Sequence, residues 1–315
     1  MAAPIIVLIP SHNRTDLLAR TPASMAKCEL PQRYREVIVV ENGGKFGGEQ
    51  VVAEADAKLH ARYVYVEQGN KSLALNTALE TIAPGTLIIF VDDDVRFRTD
   101  FLTVFDEATR DVERGWMYGG TVEIDYENEP PPDWVRHRFP PSVIGYKPYD
   151  EPTEMTSRRG STTGCLGANF AAFIDDLRDA GGFDTSRGPG TAGTGQESEM
   201  QYRLLGRGVR LKFLPDAVVW HYVPADRSTL AWLLNRASRR GYAEGLEIAR
   251  EHKGAKLCGI PLAIWKLLAQ RVVQCPVAMF WPSRDKRFGG RYRWQQAVGQ
   301  LKGARAFVAE QDDAS

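Results

Sequence analysis

Neither sign of charge is in excess in this chain: 40 Lys and Arg meet 40 Asp and Glu over 315 residues, a formal net charge of zero. Without a net field there is no long-range pull on nucleic acid, and no nucleic-acid partner is expected. Cysteine is sparse. Cys28, Cys165, Cys258 and Cys275 are scattered and never form a C-x-x-C pair, so no metal-binding cysteine spacing exists. Reduced thiols in a cytosolic protein are the expectation. Repeats and low-complexity tracts are absent. The opening "MAAPIIVLIPSHNR" lacks a basic segment and its apolar run is short for a secretory signal, so it reads as a first strand. Long hydrophobic runs are missing too. The most apolar stretch, 257–281, is interrupted by Lys266, Gln270, Arg271 and Gln274 and bracketed by Pro261 and Pro276. That leaves a helix of about fifteen residues, where a bilayer span takes ~20.

What the chain does have is alternation. Apolar, β-branched runs at 5–10, 36–42, 62–67 and 86–92 each end in polar residues or a turn. Helical stretches separate them, "EQVVAEADAKLH" at 49–60 and "SLALNTALETIA" at 72–83. The second puts Leu75, Ala78, Leu79 and Ile82 on one face before the Pro84-Gly85 stop. This order predicts an α/β fold with a mostly parallel, doubly wound sheet. Such sheets bind ligands beyond the carboxyl ends of their strands. Pro10, Ser11, His12, Glu41, Asn42, Asn70, Lys71 and the triplet Asp92-Asp93-Asp94 would gather there.

Residues 115–190 show little helical periodicity and read as an acceptor-side region. Order returns at "GQESEMQYRLLGRG", a helix with a glycine stop, followed by strands in "VRLKFLP" and "AVVWHYV". Beyond 226 the chain turns helical and basic. The expected division is a domain over 1–225, with a nucleotide-binding half (1–115) and a catalytic half (116–225), then a helical extension over 226–315.

Three carboxylates in "FVDDDVRF" follow a buried-looking strand directly. A solvated acidic turn is the plain explanation. A divalent cation held by oxygen ligands is the alternative, since Asp-x-Asp spacing lets Asp92 and Asp94 face one side.

The ordered set "PSHNR", "VVEN", "GNKSLALN", "FVDDDV", "GCLGANFAAF", "GGFD", "GQESEMQYRLLGRG" and "FLPDAVVWHYVP" resembles family 2 glycosyltransferases of the GT-A fold, over roughly residues 4–245. The resemblance implies an inverting, metal-dependent transfer of a sugar from a UDP- or GDP-sugar to a glycan or lipid-linked acceptor, in polysaccharide or glycoconjugate synthesis. It implies that Asp92, Asp93 and Asp94 hold the donor and its Mg²⁺ or Mn²⁺, with Asp94 and His221 on the metal. It implies a pocket for the nucleotide built from Pro10, Ser11, Arg14, Glu41, Asn70 and Lys71, with Arg227 on the diphosphate. A surface ion pair is the other role open to Arg14, and a core position the other open to His221.

Where the family writes G-E-D-x-E-L-x-x-R, this chain reads Gly195-Gln196-Glu197-Ser198-Glu199-Met200-Gln201-Tyr202-Arg203. Glu197 takes the position of the base that deprotonates the acceptor. Glu199 is the rival base, or else pairs with Arg203 one turn on. Gln196 in place of a carboxylate keeps open a nucleotide-sugar-binding protein with weak or lost catalysis. A sugar nucleotidyltransferase is the other rival, but "PSHNRTD" lacks the glycine-rich phosphate loop it would need. Residues 257–281, with "RDKRFGGRYRW" after them, read either as an amphipathic helix resting on the cytoplasmic face of the membrane or as a helix docked on the catalytic domain. A cytoplasmic location, with or without that peripheral contact, is expected.

Overall fold

A computed structural model describes residues 2–112, 114–127, 129–155, 164–191 and 195–313. The chain forms two compact units, Met1–Asp125 with Ile144–Tyr222, and Tyr126–Val143 with Val223–Ser315.

The first unit is built on a nine-stranded sheet. Strands β1 (Ile5–Ser11), β2 (Tyr34–Asn42), β3 (Arg62–Val66) and β4 (Leu87–Val91) lie in the order β3-β2-β1-β4, all parallel. Helices α1 (Thr15–Met25), α2 (Gly48–Ala53) and α3 (Lys71–Glu80) connect them. Side chains of β1 alternate between two apolar layers. Ile5, Val7 and Ile9 join Leu18 and Met25 of α1, while Ile6 and Leu8 join Ala74, Leu75, Ala78 and Leu79 of α3. Burial on both faces explains why these strands read as unbroken apolar runs. The first layer also takes Phe101, Leu102 and Phe105 from α4 (Phe101–Ala108).

The other half of the sheet is mixed. After β4 come β8 (Asn169–Phe173), β6 (Trp116–Asp125), β9 (Arg210–Tyr222) and β5 (Val95–Phe97). A short strand, β7 (Thr153–Met155), pairs with the start of β9. β8 runs antiparallel to both β4 and β6, and β6 runs parallel to β9. Two further helices, α5 (Ile174–Asp179) and α6 (Gln196–Gly206), complete the unit.

Three details differ from the expected elements. "EQVVAEADAKLH" is not one helix: α2 stops at Ala53, and Asp56 accepts from Lys58 N to start a 3₁₀ turn at Ala57–Leu59. The runs 209–215 and 217–223 are one strand, β9, whose register against β6 slips between Gly120 and Thr121. That slip is a β-bulge. "YGGTVEID", which carries two glycines, is the ten-residue strand β6. Gly120 sits where side chains and backbone converge. A Cβ there would lie 2.3 Å from both Ala217 O and Asn169 Nδ2. The buried Asn169 amide donates to Thr121 O (3.0 Å) and Ala217 O (2.8 Å), tying both sides of the bulge together.

The second unit centres on helices α7 (Leu230–Glu251), α8 (Leu262–Met279) and α9 (Arg284–Asp313). Thr229 caps α7 by accepting from Trp232 N. Glycines bring α7 and α9 into backbone contact. A Cβ on Gly241 would lie 2.0 Å from Gln296 O, one on Gly245 2.0 Å from Gln300 O, and one on Gly303 2.0 Å from Tyr242 O. The paired numbers rise together, so these two helices run parallel. Between them Glu244 Oε2 accepts from Gln296 (2.8 Å) and Gln300 (2.9 Å), while Oε1 accepts from Arg240 (2.8 Å).

Such contacts leave no space for a methyl group. Gly245→Ala and Gly120→Ala should each lower unfolding free energy by roughly 1–3 kcal/mol, the usual cost of overpacking. The check is the urea midpoint at unchanged slope. Gly206→Ala, where an added Cβ meets nothing within 4 Å, is the control and should leave the midpoint unmoved or raised.

Candidate active site

The ends of β1, β2 and β4 and the start of α3 bring the expected residues to one edge of the first unit. Pro10 fits there because β1 pairs with β4 only as far as Leu8, so no ladder bond on that side needs the missing N–H. The acidic triplet follows β4. Asp93 and Asp94 are each only 5% exposed, which rules out a solvated turn. Every carboxylate of the triplet has a partner from a different element. Asp92 Oδ1 accepts from Lys71 Nζ at 2.8 Å. Asp93 accepts from Ser11 Oγ at 2.7 Å and from Arg14 Nη1 at 3.3 Å. The same Arg14 nitrogen reaches Asp94 Oδ2 at 2.8 Å, and His221 Nε2 lies 3.2 Å from Asp94 Oδ1. His221 comes from the far end of β9, opposite Val95 of β5. Arg14 is therefore an ion-pair residue, with buried carboxylates as its partners.

Glu197, in the first turn of α6, belongs to the same cluster. Lys71 Nζ donates to its Oε1 at 2.9 Å while holding Asp92, so one ammonium joins the triplet to the expected base. Gln196 Nε2 donates to that oxygen as well, at 2.8 Å. Glu199 is turned away. It forms a two-pronged pair with Arg203, at 2.5 and 2.8 Å.

Electrostatics at this edge are those of crowded acids. Burial, then the neighbouring Asp94, pushes the Asp93 carboxyl up to about 6 against the pull of Ser11 and Arg14. Burial acts on Asp92 in the same sense, but Lys71 and His221 outweigh it and hold that group below its ordinary value. Lys71 is raised: Asp92 and Glu197 more than offset the desolvation of its ammonium. Four carboxylates (Asp92, Asp93, Asp94 and Glu197) face two permanent cations, Arg14 and Lys71, so two negative charges remain once His221 gives up its proton, as an imidazole must to ligate a metal. A divalent cation would close that balance.

Geometry agrees. Asp92, Asp94 and His221 each offer one ligand atom, and these atoms lie within 4.8 Å of one another. Asp94 Oδ1, 3.2 Å from His221 Nε2, is buried and accepts no hydrogen bond among the described residues. Carboxylate and imidazole donors of this kind suit Mg²⁺ or Mn²⁺.

Other expected residues have structural partners. Glu41 is buried, accepting from Phe46 N (3.0 Å), Gly48 N (3.1 Å) and Tyr63 Oη (2.6 Å), so it fixes the turn into α2. Asn70 caps α3 through Leu73 N (3.0 Å) and donates to Thr185 O (2.8 Å). Arg227 lies in a 3₁₀ turn of the second unit, Ala225–Ser228, and is not among the residues that the first unit brings together.

Sequence reasoning passed over three contributors. Gly167 has no room for a side chain, because a Cβ would stand 2.6 Å from Glu197 Oε1. Gln201 clamps the backbone of Cys165, accepting from its N at 2.8 Å and donating to its O at 3.0 Å, which fixes α6 beside that glycine. Thr21 Oγ1 donates to the triplet's own backbone at Asp93 O (2.9 Å). Residues 183–189, before α6, are tied along α3 through Asn70, Lys71, Ser72 and Asn76, and 192–194 lie outside the described residues.

The model of Glycosyl transferase family 2 matches residues 6–178, more than half of the chain, and the chain belongs to that family. The succinoglycan biosynthesis protein ExoM of Rhizobium meliloti (strain 1021) is 28% identical over 242 residues, 76% of this chain and 74% of ExoM. Among solved structures, the fold is similar to the mannosyltransferase PcManGT from Pyrobaculum calidifontis in complex with GDP-Man and Mn²⁺. The TM-score is 0.56 at 20% identity, covering 96% of this chain and 88% of that one. It is also similar to S. aureus TarS 1-349 in complex with UDP-GlcNAc, with a TM-score of 0.53 at 12% identity, covering 98% and 92%. The sheet and its flanking helices are those of a GT-A glycosyltransferase, followed by a helical C-terminal region.

Arg14 is the cation on which two buried carboxylates depend. Its side chain is 35% exposed, so Arg14→Met should cost roughly 2–3 kcal/mol, less than a fully buried pair would. Arg98→Met, which breaks pairs with the more exposed Asp100 and Asp216, should cost under about 1 kcal/mol. Urea unfolding of the two variants provides the comparison.

Proposed function

We propose that this chain is an inverting glycosyltransferase that moves a sugar from a UDP- or GDP-sugar to a hydroxyl of a glycan or lipid-linked acceptor, in polysaccharide synthesis. The observation that carries the reading is Lys71 bridging Asp92 and Glu197, because it sets the candidate base within one side chain of the candidate metal ligands. Family membership and the ExoM relative support the substrate class. GDP-Man with Mn²⁺ in one structural neighbour and UDP-GlcNAc in another support the donor type.

Asp92, Asp94 and His221 would hold Mg²⁺ or Mn²⁺, and that ion supplies positive charge to the departing diphosphate. Ser11 and Arg14 keep Asp93 and Asp94 in place. Glu197 takes the proton of the acceptor hydroxyl as the oxygen attacks the sugar from the side opposite the leaving group, which inverts the anomeric centre. Lys71 and Gln196 both donate to Glu197 Oε1, so Oε2 is the oxygen that accepts this proton. The ends of β1 and β2 are assigned to the nucleotide.

Two measurements test the reading separately. Titration with Mn²⁺ followed by electron paramagnetic resonance should show one tight site. Asp94→Asn should weaken it beyond the ~10–100-fold typical of losing an outer partner, while Asp216→Asn leaves it unchanged. A site indifferent to Asp94→Asn removes the metal assignment. Incubation with a panel of nucleotide-sugars should release nucleoside diphosphate from one donor class. In that assay Glu197→Gln should keep donor binding and lose roughly 10²–10⁴ in transfer. Glu199→Gln should cost far less, its work being the pair with Arg203. Full transfer by Glu197→Gln would place the base elsewhere.

A further inference from the structure

The second unit exposes an apolar tip that its own fold does not need. On α8 the outward stripe at helical spacing is Leu262, Lys266, Gln270, Val273, Val277 and Phe280, so its last three members are all apolar. Val273 is 67% exposed, Val277 58% and Phe280 89%, with Trp281 beside them at 45%. Opposite this stripe Ile264 is buried with Ala249, Ile260 and Ala304, so the helix already packs through its other face.

The tip is held in place and is not a fraying end. Arg287 Nη1 donates to Trp281 O (2.9 Å) and Pro282 O (3.0 Å), and Lys286 Nζ stands 4.5 Å over the Trp281 ring. Exposing a phenylalanine and two valines to water on a rigid turn forgoes burial that each could have had.

Charge around the tip points to the occupant. From 252 to 303 the sequence holds ten Lys or Arg and a single acid, Asp285, in a chain whose total charge is zero. That acid is taken up by Arg138 at 2.6 Å. Lys266, Arg284, Lys286, Arg291 and Arg293 are exposed. A second copy of this chain would have to bring these like charges together. An anionic lipid surface instead takes the apolar residues among its acyl chains and the basic ones among its headgroups. Among the described residues no helix is long and apolar enough to cross a membrane, which fits contact in the plane of the interface.

We propose that Val273, Val277, Phe280 and Trp281, together with the exposed basic residues of α8 and α9, dock the protein in-plane on an anionic bilayer. The contact is independent of donor binding and catalysis.

Cosedimentation of the full chain with vesicles tests this directly. Phosphatidylglycerol vesicles at low salt should carry the protein down, phosphatidylcholine vesicles should not, and salt should release it. Phe280→Ser with Trp281→Ser should reduce partitioning at least about tenfold. Lys286→Glu with Arg284→Glu should do likewise for phosphatidylglycerol alone, and circular dichroism of each variant should match the parent. A second readout is quenching of the parent's tryptophan fluorescence by brominated lipid, which should fall in Trp281→Phe. Parent protein left in the supernatant with phosphatidylglycerol overturns the proposal, as does equal binding by the apolar double variant. So does a self-association that Phe280→Ser with Trp281→Ser abolishes while vesicles remain unbound, for the tip would then be covered by a second copy.

Discussion

Burying Asp93 and Asp94 beside the half-buried Asp92 is costly, and the pairing of these carboxylates with Arg14, Lys71 and His221 is what makes it tolerable. Each partner comes from a different element. Ser11 closes β1, Arg14 opens α1, Lys71 opens α3 and His221 sits near the end of β9. The triplet thus acts as a common anchor: satisfying its charges sets where two helices start and where the longest strand must reach. Thr21 extends this to the backbone of the triplet itself.

Two kinds of precision meet there. Polar pairs decide direction, as when Lys71 aligns Glu197 with Asp92, and close backbone approach decides distance. Gly167 belongs to the second kind, because its missing side chain is the space that Glu197 occupies. Glu199 shows the converse. Two residues further along the same helix it meets Arg203, and that pair engages both of its oxygens.

Much of the first half was legible because its residues obey one rule each. The strands at 5–10, 36–42 and 86–92 are largely buried on both faces, so their apolar runs stand out, and the strand-end rule then gathers Ser11, Asp92 and Lys71. The second half was less legible for equally definite reasons. β6 carries Gly119 and Gly120, demanded by Cys165 and Asn169 packed against them, and glycine weakens any strand signal. β9 continues through Pro215 and Asp216 because these residues form its own bulge opposite Gly120 and Thr121 of β6, which no local pattern reveals. Glu41 was legible as a carboxylate at a strand end, whereas its partners Phe46, Gly48 and Tyr63 come from a turn and a neighbouring strand that no local pattern joins to it. Gln196 looked like a loss, whereas in place it is a donor to Glu197.

The parallel contact between α7 and α9 has a consequence for what lies between them. Two consecutive helices joined by a short loop run antiparallel, so a parallel pair requires the chain to travel back along its own length before the second can begin. With 22 residues in α7, that return is about 33 Å. The 18 residues of α8 cover about 27 Å of it, and the turns on either side supply the rest. The length of α8 is therefore dictated by the glycine seam between its neighbours and owes nothing to its own outward residues. A helix that exists as a return stroke can change the composition of its free face without disturbing the scaffold, which leaves that face open to selection for a purpose of its own.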